Sequence, residues 1–116
     1  MKTCKELSNN YEIVKEFVQK YKKELDVLGG ILSERNDVAK YNEYIKFINT
    51  LSEDEYYANY IAFVGNDISM DIINGILNNE LDFNYYVKMT LKISIFSDEY
   101  DEKLYRKYKR ELKKAQ

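Results

Sequence analysis

The chain has no histidine, no proline and no tryptophan, and only one cysteine and four glycines among 116 residues. Without histidine it lacks the usual general base and the commonest nitrogen ligand for a metal ion. One cysteine with no histidine excludes a zinc site of ordinary composition. Cys4 alone permits no internal disulfide and fits a reducing compartment. Gly29-Gly30 is a lone pair, while Gly65 and Gly75 stand singly, so no glycine-rich loop is present to cradle a phosphate. The acids Glu53-Asp54-Glu55 lack the alternating oxygen-ligand spacing of a calcium loop. No catalytic residue, metal or cofactor is therefore assigned, and a non-enzymatic role is expected. No apolar run approaches the roughly 18 residues of a membrane span. Met1-Lys2-Thr3-Cys4-Lys5-Glu6 is polar, unlike a signal peptide. A cytoplasmic protein without membrane contact is expected.

What the chain does contain is unevenly distributed. Eighteen basic and twenty acidic residues leave a net charge of -2. Yet residues 47–87 hold no Lys or Arg, seven acids (Glu53, Asp54, Glu55, Asp67, Asp71, Glu80, Asp82) and five of the twelve tyrosines. The abundance of Lys, Asn, Ile and Tyr is also what an AT-rich coding sequence tends to produce. Tyrosine suits binding surfaces because it offers a large area with few rotors and a polar tip. An acidic, tyrosine-rich surface suits a basic protein partner and repels a phosphate backbone. Glu53, Asp54, Glu55, Tyr56, Tyr57, Tyr60, Asp67 and Asp71 are the candidate partner-binding residues.

Periodicity predicts a mainly α fold, a small bundle of about five to six helices in a single domain over residues 1–116. An α+β fold with a small sheet is the alternative. Leu7, Tyr11, Val14, Val18, Tyr21, Leu25, Leu28 and Leu32 recur at steps of four and three, a heptad seam on a long helix over about 3–28. Thr3 with Glu6 has capping-box spacing at its start. Gly29-Gly30 weakens or ends that helix. The seam packs within the domain or forms a homodimer. A second helix spans Asn36 to Leu51. Ser52 and Glu55 form the best capping box in the chain, with Leu51 and Tyr56 at hydrophobic-staple positions, so a third helix runs from Glu53 to Gly65. Ser69 caps a fourth, Met70 to Asn79. Val87 to Ile95 alternates strictly, as a strand does, although Phe83, Tyr86, Val87 and Leu91 share one helical stripe. We favour helix. Ser97-Asp98-Glu99 caps a basic helix over about 98–114, with Leu104, Tyr105, Tyr108 and Leu112 inward.

The stretch Ile68-Ser69-Met70-Asp71-Ile72-Ile73-Asn74-Gly75-Ile76-Leu77-Asn78-Asn79 resembles the recognition helix of Cro-like (Xre) phage-repressor helix-turn-helix proteins. Tyr86 to Met89, Ile93 to Ile95 and Asp98 to Tyr100 fall where that family's last helix and following turn lie. The resemblance covers about residues 68–100. It implies a degenerate helix-turn-helix region over about 53–95, with Ser69, Met70 and Asn74 facing bases. Arg106, Lys109 and Arg110 would supply phosphate contacts, and the heptad seam a dimer.

Three functions follow. The favoured one is a protein-binding regulator or inhibitor whose acidic middle docks on a basic surface. Its general character is similar to that of small acidic proteins of phages and mobile elements, such as anti-CRISPR proteins and nucleic-acid mimics. The alternatives are a helix-turn-helix DNA-binding transcription regulator and a phage or plasmid assembly helper.

Overall fold

The apolar residues of the first third fold as two helices, α1 (Cys4–Lys20) and α2 (Lys22–Arg35), which meet at Tyr21. Five more follow: α3 (Tyr41–Asn49), α4 (Glu53–Val64), α5 (Asp67–Leu77), α6 (Phe83–Thr90) and α7 (Glu102–Ala115). The computed structural model describes residues 4–64, 67–94 and 96–115, with side chains for 11–60, 70–94 and 96–115. The fold is mainly α, as periodicity indicated. Among the described residues there is no strand, only an isolated antiparallel bridge between Lys92 and Tyr100.

The chain forms two compact units, and each draws on two separated stretches. Residues 1–22 and 51–82 make unit 1; residues 23–50 and 83–116 make unit 2. Nothing in the composition marks this interleaving, since no linker or repeat divides the chain.

In unit 1, α1 packs on both α4 and α5. Val14, Phe17 and Val18 on α1 are no more than 1% exposed, and Met70, Ile73 and Ile76 on α5 are buried with them. α5 ends in a Schellman motif: Glu80 N–H donates to Gly75 O (2.8 Å) and Asn79 N–H to Ile76 O (3.1 Å), with Asn79 at φ 62. Leu81 folds back onto Gly75, where a Cβ would lie 2.8 Å from Leu81 Cδ1.

Unit 2 buries Leu25, Val27, Leu28, Ile31 and Leu32 of α2, Ile48 of α3, and Tyr108 of α7. Phe83, Tyr86, Val87 and Leu91 are all buried, so the helical stripe and not the alternation governs residues 83–90. The Tyr105 hydroxyl donates to Asn84 Oδ1 at 2.6 Å, joining α7 to α6, and Lys107 pairs with Glu34 of α2. Burial pushes the phenols of Tyr86 and Tyr108 well above their ordinary value near 10. Their contribution to stability is therefore complete below about pH 10 and is lost as the pH rises further.

Several expected boundaries need correction. The long first helix over about 3–28 is two helices, and the second runs through Gly29-Gly30 to Arg35. The glycines are not a stop. They are where α3 lies on α2, for a Cβ on Gly30 would meet Tyr41 Cδ2 at 2.6 Å, and one on Gly29 the Tyr44 hydroxyl at 2.6 Å. The stop comes later, at Asp37 (φ 55). There Asp37 N–H donates to Glu34 O and Val38 N–H to Ser33 O, a second Schellman motif. This turn uses residues 36–38, so the helix expected from Asn36 begins only at Tyr41. Ser69 lies in the first turn of α5 and not at its cap, because the helix already begins at Asp67. The cap of α7 is Asp101, whose Oδ1 accepts from Leu104 N–H (3.1 Å), so the helix starts after Ser97-Asp98-Glu99. The Thr3–Glu6 box and Leu7 lie outside the described side chains.

Candidate interaction surfaces

The capping box expected at α4 is formed. Ser52 N–H donates to Glu55 Oε1 at 3.0 Å, and Glu55 N–H donates to Ser52 Oγ at 3.3 Å. These two bonds satisfy donors that a helix start leaves open. The Ser52 backbone N–H, and then its side chain, hold the Glu55 carboxyl below the usual carboxylate range. Its contribution is thus present above about pH 4.3 and fades as the pH falls through the lowered value. Ser52→Ala should lower stability by about 1 kcal/mol, measured by chemical denaturation at neutral pH. The wild-type advantage should shrink when the same pair is compared in acid.

The box leaves Glu53, Asp54 and Glu55 exposed on one turn, where the helix dipole favours negative charge. The tyrosines behind them do not share that surface. Tyr56 and Tyr57 are 8% exposed and Tyr60 1%. Tyr56 meets Tyr57 at 5.7 Å and Tyr60 at 5.0 Å, edge to face. Lys15 of α1 sits 5.4 Å over Tyr57, and Lys22 sits 5.0 Å over Tyr56. The tyrosine-rich half of the expected surface is therefore core, with Lys15 of α1 and Lys22 at the start of α2 laid across the rings of a helix that has no lysine of its own. Asp71 is exposed; the side chain of Asp67 lies outside the described residues.

The DNA-reading set is dispersed in a comparable way. Met70 is 6% exposed and so faces inward, and Asn74 is half-buried. The side chain of Ser69 lies outside the described residues. Arg106, Lys109 and Arg110 are exposed on α7. Arg106 pairs with Glu102 at 3.3 Å, and Lys109 lies 4.9 Å over the Tyr105 ring. In the heptad seam Val14, Val18, Leu25, Leu28 and Leu32 are buried within the single chain, while Tyr11 and Tyr21 are half-buried. The described apolar members Val14, Val18, Leu25, Leu28 and Leu32 are covered by this chain's own residues.

The described residues contain no group of three or more His, Cys, Asp or Glu that could hold a metal ion, and no helix long and apolar enough to cross a membrane.

A different site emerges in unit 2, where α6 meets the connection to α7. A cleft of about 290 Å³ is lined by Tyr85, Lys88, Met89, Lys92, Asp98 and Tyr100. The connection is firmly tied. Ile93 N–H donates to Glu99 O (3.1 Å) and Asp101 N–H to Leu91 O (2.9 Å). Ser94 Oγ accepts from Phe96 N–H and Ser97 Oγ from Glu99 N–H, both at 3.0 Å. Arg35 reaches Lys92 O at 3.1 Å. A hydrogen bond to the Glu102 carboxylate raises the Tyr100 phenol and lowers that carboxyl. On this frame Ile93 is 58% and Phe96 94% exposed, with Tyr85 of α6 at 53%. None of these residues stood out in sequence as a binding group. The one available signal was an apolar Ile93-Ser94-Ile95-Phe96 run outside any helical stripe.

Comparison with protein-family models, curated proteins and solved structures finds no match for this chain.

Proposed function

We propose that this protein is a small, non-catalytic regulator or inhibitor that acts by binding another protein in the cytoplasm. The observation that carries this reading is the exposure of three large apolar side chains at or beside the α6–α7 connection: Phe96, Ile93 and Tyr85. Large apolar side chains held in solvent on one short connection and the helix before it suit contact with a partner. Charge narrows the partner. The acidic turn Glu53-Asp54-Glu55, in a stretch of 41 residues without a base, suits a basic protein surface and opposes a phosphate backbone. This is the character of small acidic regulators of phages and mobile elements, including anti-CRISPR-like inhibitors.

One observation favours a second reading, a DNA-binding regulator. On α7, Lys103, Arg106, Lys107, Lys109, Arg110, Lys113 and Lys114 fall within an arc of about 160° at 100° per residue, opposite Leu104, Tyr105, Tyr108 and Leu112.

An affinity pull-down from the native host, with mass spectrometry and nucleic-acid recovery, separates the two. A protein partner should be recovered by the wild type and lost with Phe96→Asp. It should be weakened at least ten-fold when Glu53, Asp54 and Glu55 are all changed to Lys, since several like charges then face a basic surface. Recovery unchanged in both variants would sink the proposal. Nucleic acid recovered instead, and lost when Arg106, Lys109 and Arg110 become Gln, would establish the second reading. Circular dichroism checks that each variant is folded.

A further inference from the structure

We infer that the cleft of unit 2 is a receptor for an acidic, apolar-anchored segment of a partner protein. Lys88 and Lys92 would take its carboxylate, and Tyr85 and Met89 its bulky apolar side chain, with Ile93 exposed next in sequence to the lining residue Lys92. The inference rests on the protein-binding reading above and adds the partner's chemistry.

Four observations converge on it. First, the cleft's roughly 290 Å³ falls just below the 300–1,000 Å³ typical of ligand sites, a size for side chains and not for a large cofactor. Second, its charge is unbalanced. Lys88 Nζ lies 5.1 Å from the Tyr100 ring and 5.5 Å from the Tyr105 ring, and no carboxylate among the described residues is within ion-pair distance. Ring faces hold an ammonium in place without cancelling its charge. Lys92 has a carboxylate neighbour, Asp98, but at 3.9 Å and with the Asp98 side chain wholly in solvent, a pair that contributes little. Among the lining residues two cations stand against one loosely held anion, with the Glu102 carboxylate engaged by Tyr100 and Arg106, and this favours an incoming carboxylate. Third, Lys88 near the end of α6 and Lys92 in the connection beyond it line the same cleft, so an acidic side chain that enters it meets both ammonium groups. Fourth, the apolar residues beside them are displayed on a connection already ordered by hydrogen bonds. Little ordering cost remains to be met on binding.

The burial pattern of this segment fits the same use. Leu91 is buried, whereas Ile93 and Phe96 point to solvent, although all three are equally apolar in sequence. A purely structural loop has no need of an apolar exterior beside two lysines. The lysines explain the preferred sign of the ligand, and the exposed Ile93 and Tyr85 explain why a small anion such as free phosphate would be a poor occupant: it would leave that apolar surface wet.

Random short peptides displayed on phage, panned on the intact protein and counter-selected on a Lys88→Glu/Lys92→Glu variant, test the inference. Selected peptides should join an aspartate or glutamate to a leucine, isoleucine or phenylalanine. A synthetic selected peptide should shift the NMR signals of Tyr85, Lys88, Met89 and Lys92. Lys88→Gln should weaken it roughly ten-fold, as loss of one charge-assisted contact does, while Lys88→Arg should retain it. Inorganic phosphate at matched ionic strength should not displace it; displacement would make the site a simple anion site. No enrichment of acids, signal shifts elsewhere, or full affinity in Lys88→Gln would overturn the inference. If Phe96→Asp abolishes recovery of the native partner while Lys88→Gln/Lys92→Gln does not, the protein-binding reading stands and this inference falls. Selected peptides seated in the cleft with no native protein partner recovered would keep the receptor and remove the regulatory reading.

Discussion

Tyr60→Ala should cost about 3–5 kcal/mol of folding stability, measured by urea or guanidinium unfolding. The side chain is 1% exposed and packs edge to face on Tyr56 at 5.0 Å, so truncation leaves a cavity and removes a ring contact. Against a typical stability of about 5–15 kcal/mol, such a loss takes away much of the margin. Tyr85→Ala is the control. Tyr85 is 53% exposed, and its loss should lie within roughly 0.5 kcal/mol. The pair also decides a functional question. Were Tyr60 part of a docking surface held in water, the two substitutions would have similar small effects. Equal costs below about 1 kcal/mol would return Tyr60 to the surface and revive the acidic, tyrosine-rich interface.

The second large effect is one whose sign only the structure supplies. Replacing a mid-helix glycine by alanine ordinarily stabilises by about 1 kcal/mol, because alanine loses less backbone entropy. Gly30→Ala should instead destabilise by about 1–3 kcal/mol, the usual cost of overpacking. Its Cβ would stand 2.6 Å from Cδ2 and 2.8 Å from Cε2 of Tyr41, near the base of a half-buried ring that cannot swing away without moving α3. Gly29→Ala should cost less, since its nearest neighbour is the hydroxyl end of Tyr44, which bends aside more readily. A double-mutant cycle completes the test. With Tyr41→Ala in place, Gly30→Ala should become neutral or stabilising. A stabilising Gly30→Ala in the wild-type background would mean that α3 does not lie on the glycine pair.

Much of the architecture was legible one helix at a time. The Ser52–Glu55 box was readable because a capping box is a local device: four consecutive residues contain both donors and both acceptors. The stripe Phe83, Tyr86, Val87 and Leu91 was readable for the same reason, and it outweighed the strict alternation downstream because a lone strand has no partner to take up its hydrogen bonds. Helix ends were harder. Both stops are Schellman motifs whose left-handed residues are Asp37 and Asn79, where glycine is the usual marker, so the eye is drawn to Gly29-Gly30 instead.

The candidate sites were less legible than the helices. A helix such as α4, apolar nearly all round, does not reveal which tyrosines are covered, since that depends on where Lys15 of α1 and Lys22 at the start of α2 come to rest. The heptad seam is compatible in sequence with a second copy as well as with packing on the chain's own helices. The cleft could not be read at all. Its residues come from α6 and from both ends of the connection that follows, and only the Lys92–Tyr100 bridge brings those ends together.

By itself, then, the sequence determined the helical class, the acidic turn at the start of α4 and the lack of histidine–cysteine chemistry, because each depends on composition or on residues within one turn of each other. Only the tertiary structure decided that Tyr56, Tyr57, Tyr60 and Met70 are core, that the glycine pair is a packing site, and that Ile93 and Phe96 stay in solvent. Burial is set by what other segments cover, and no local pattern encodes which segments those are.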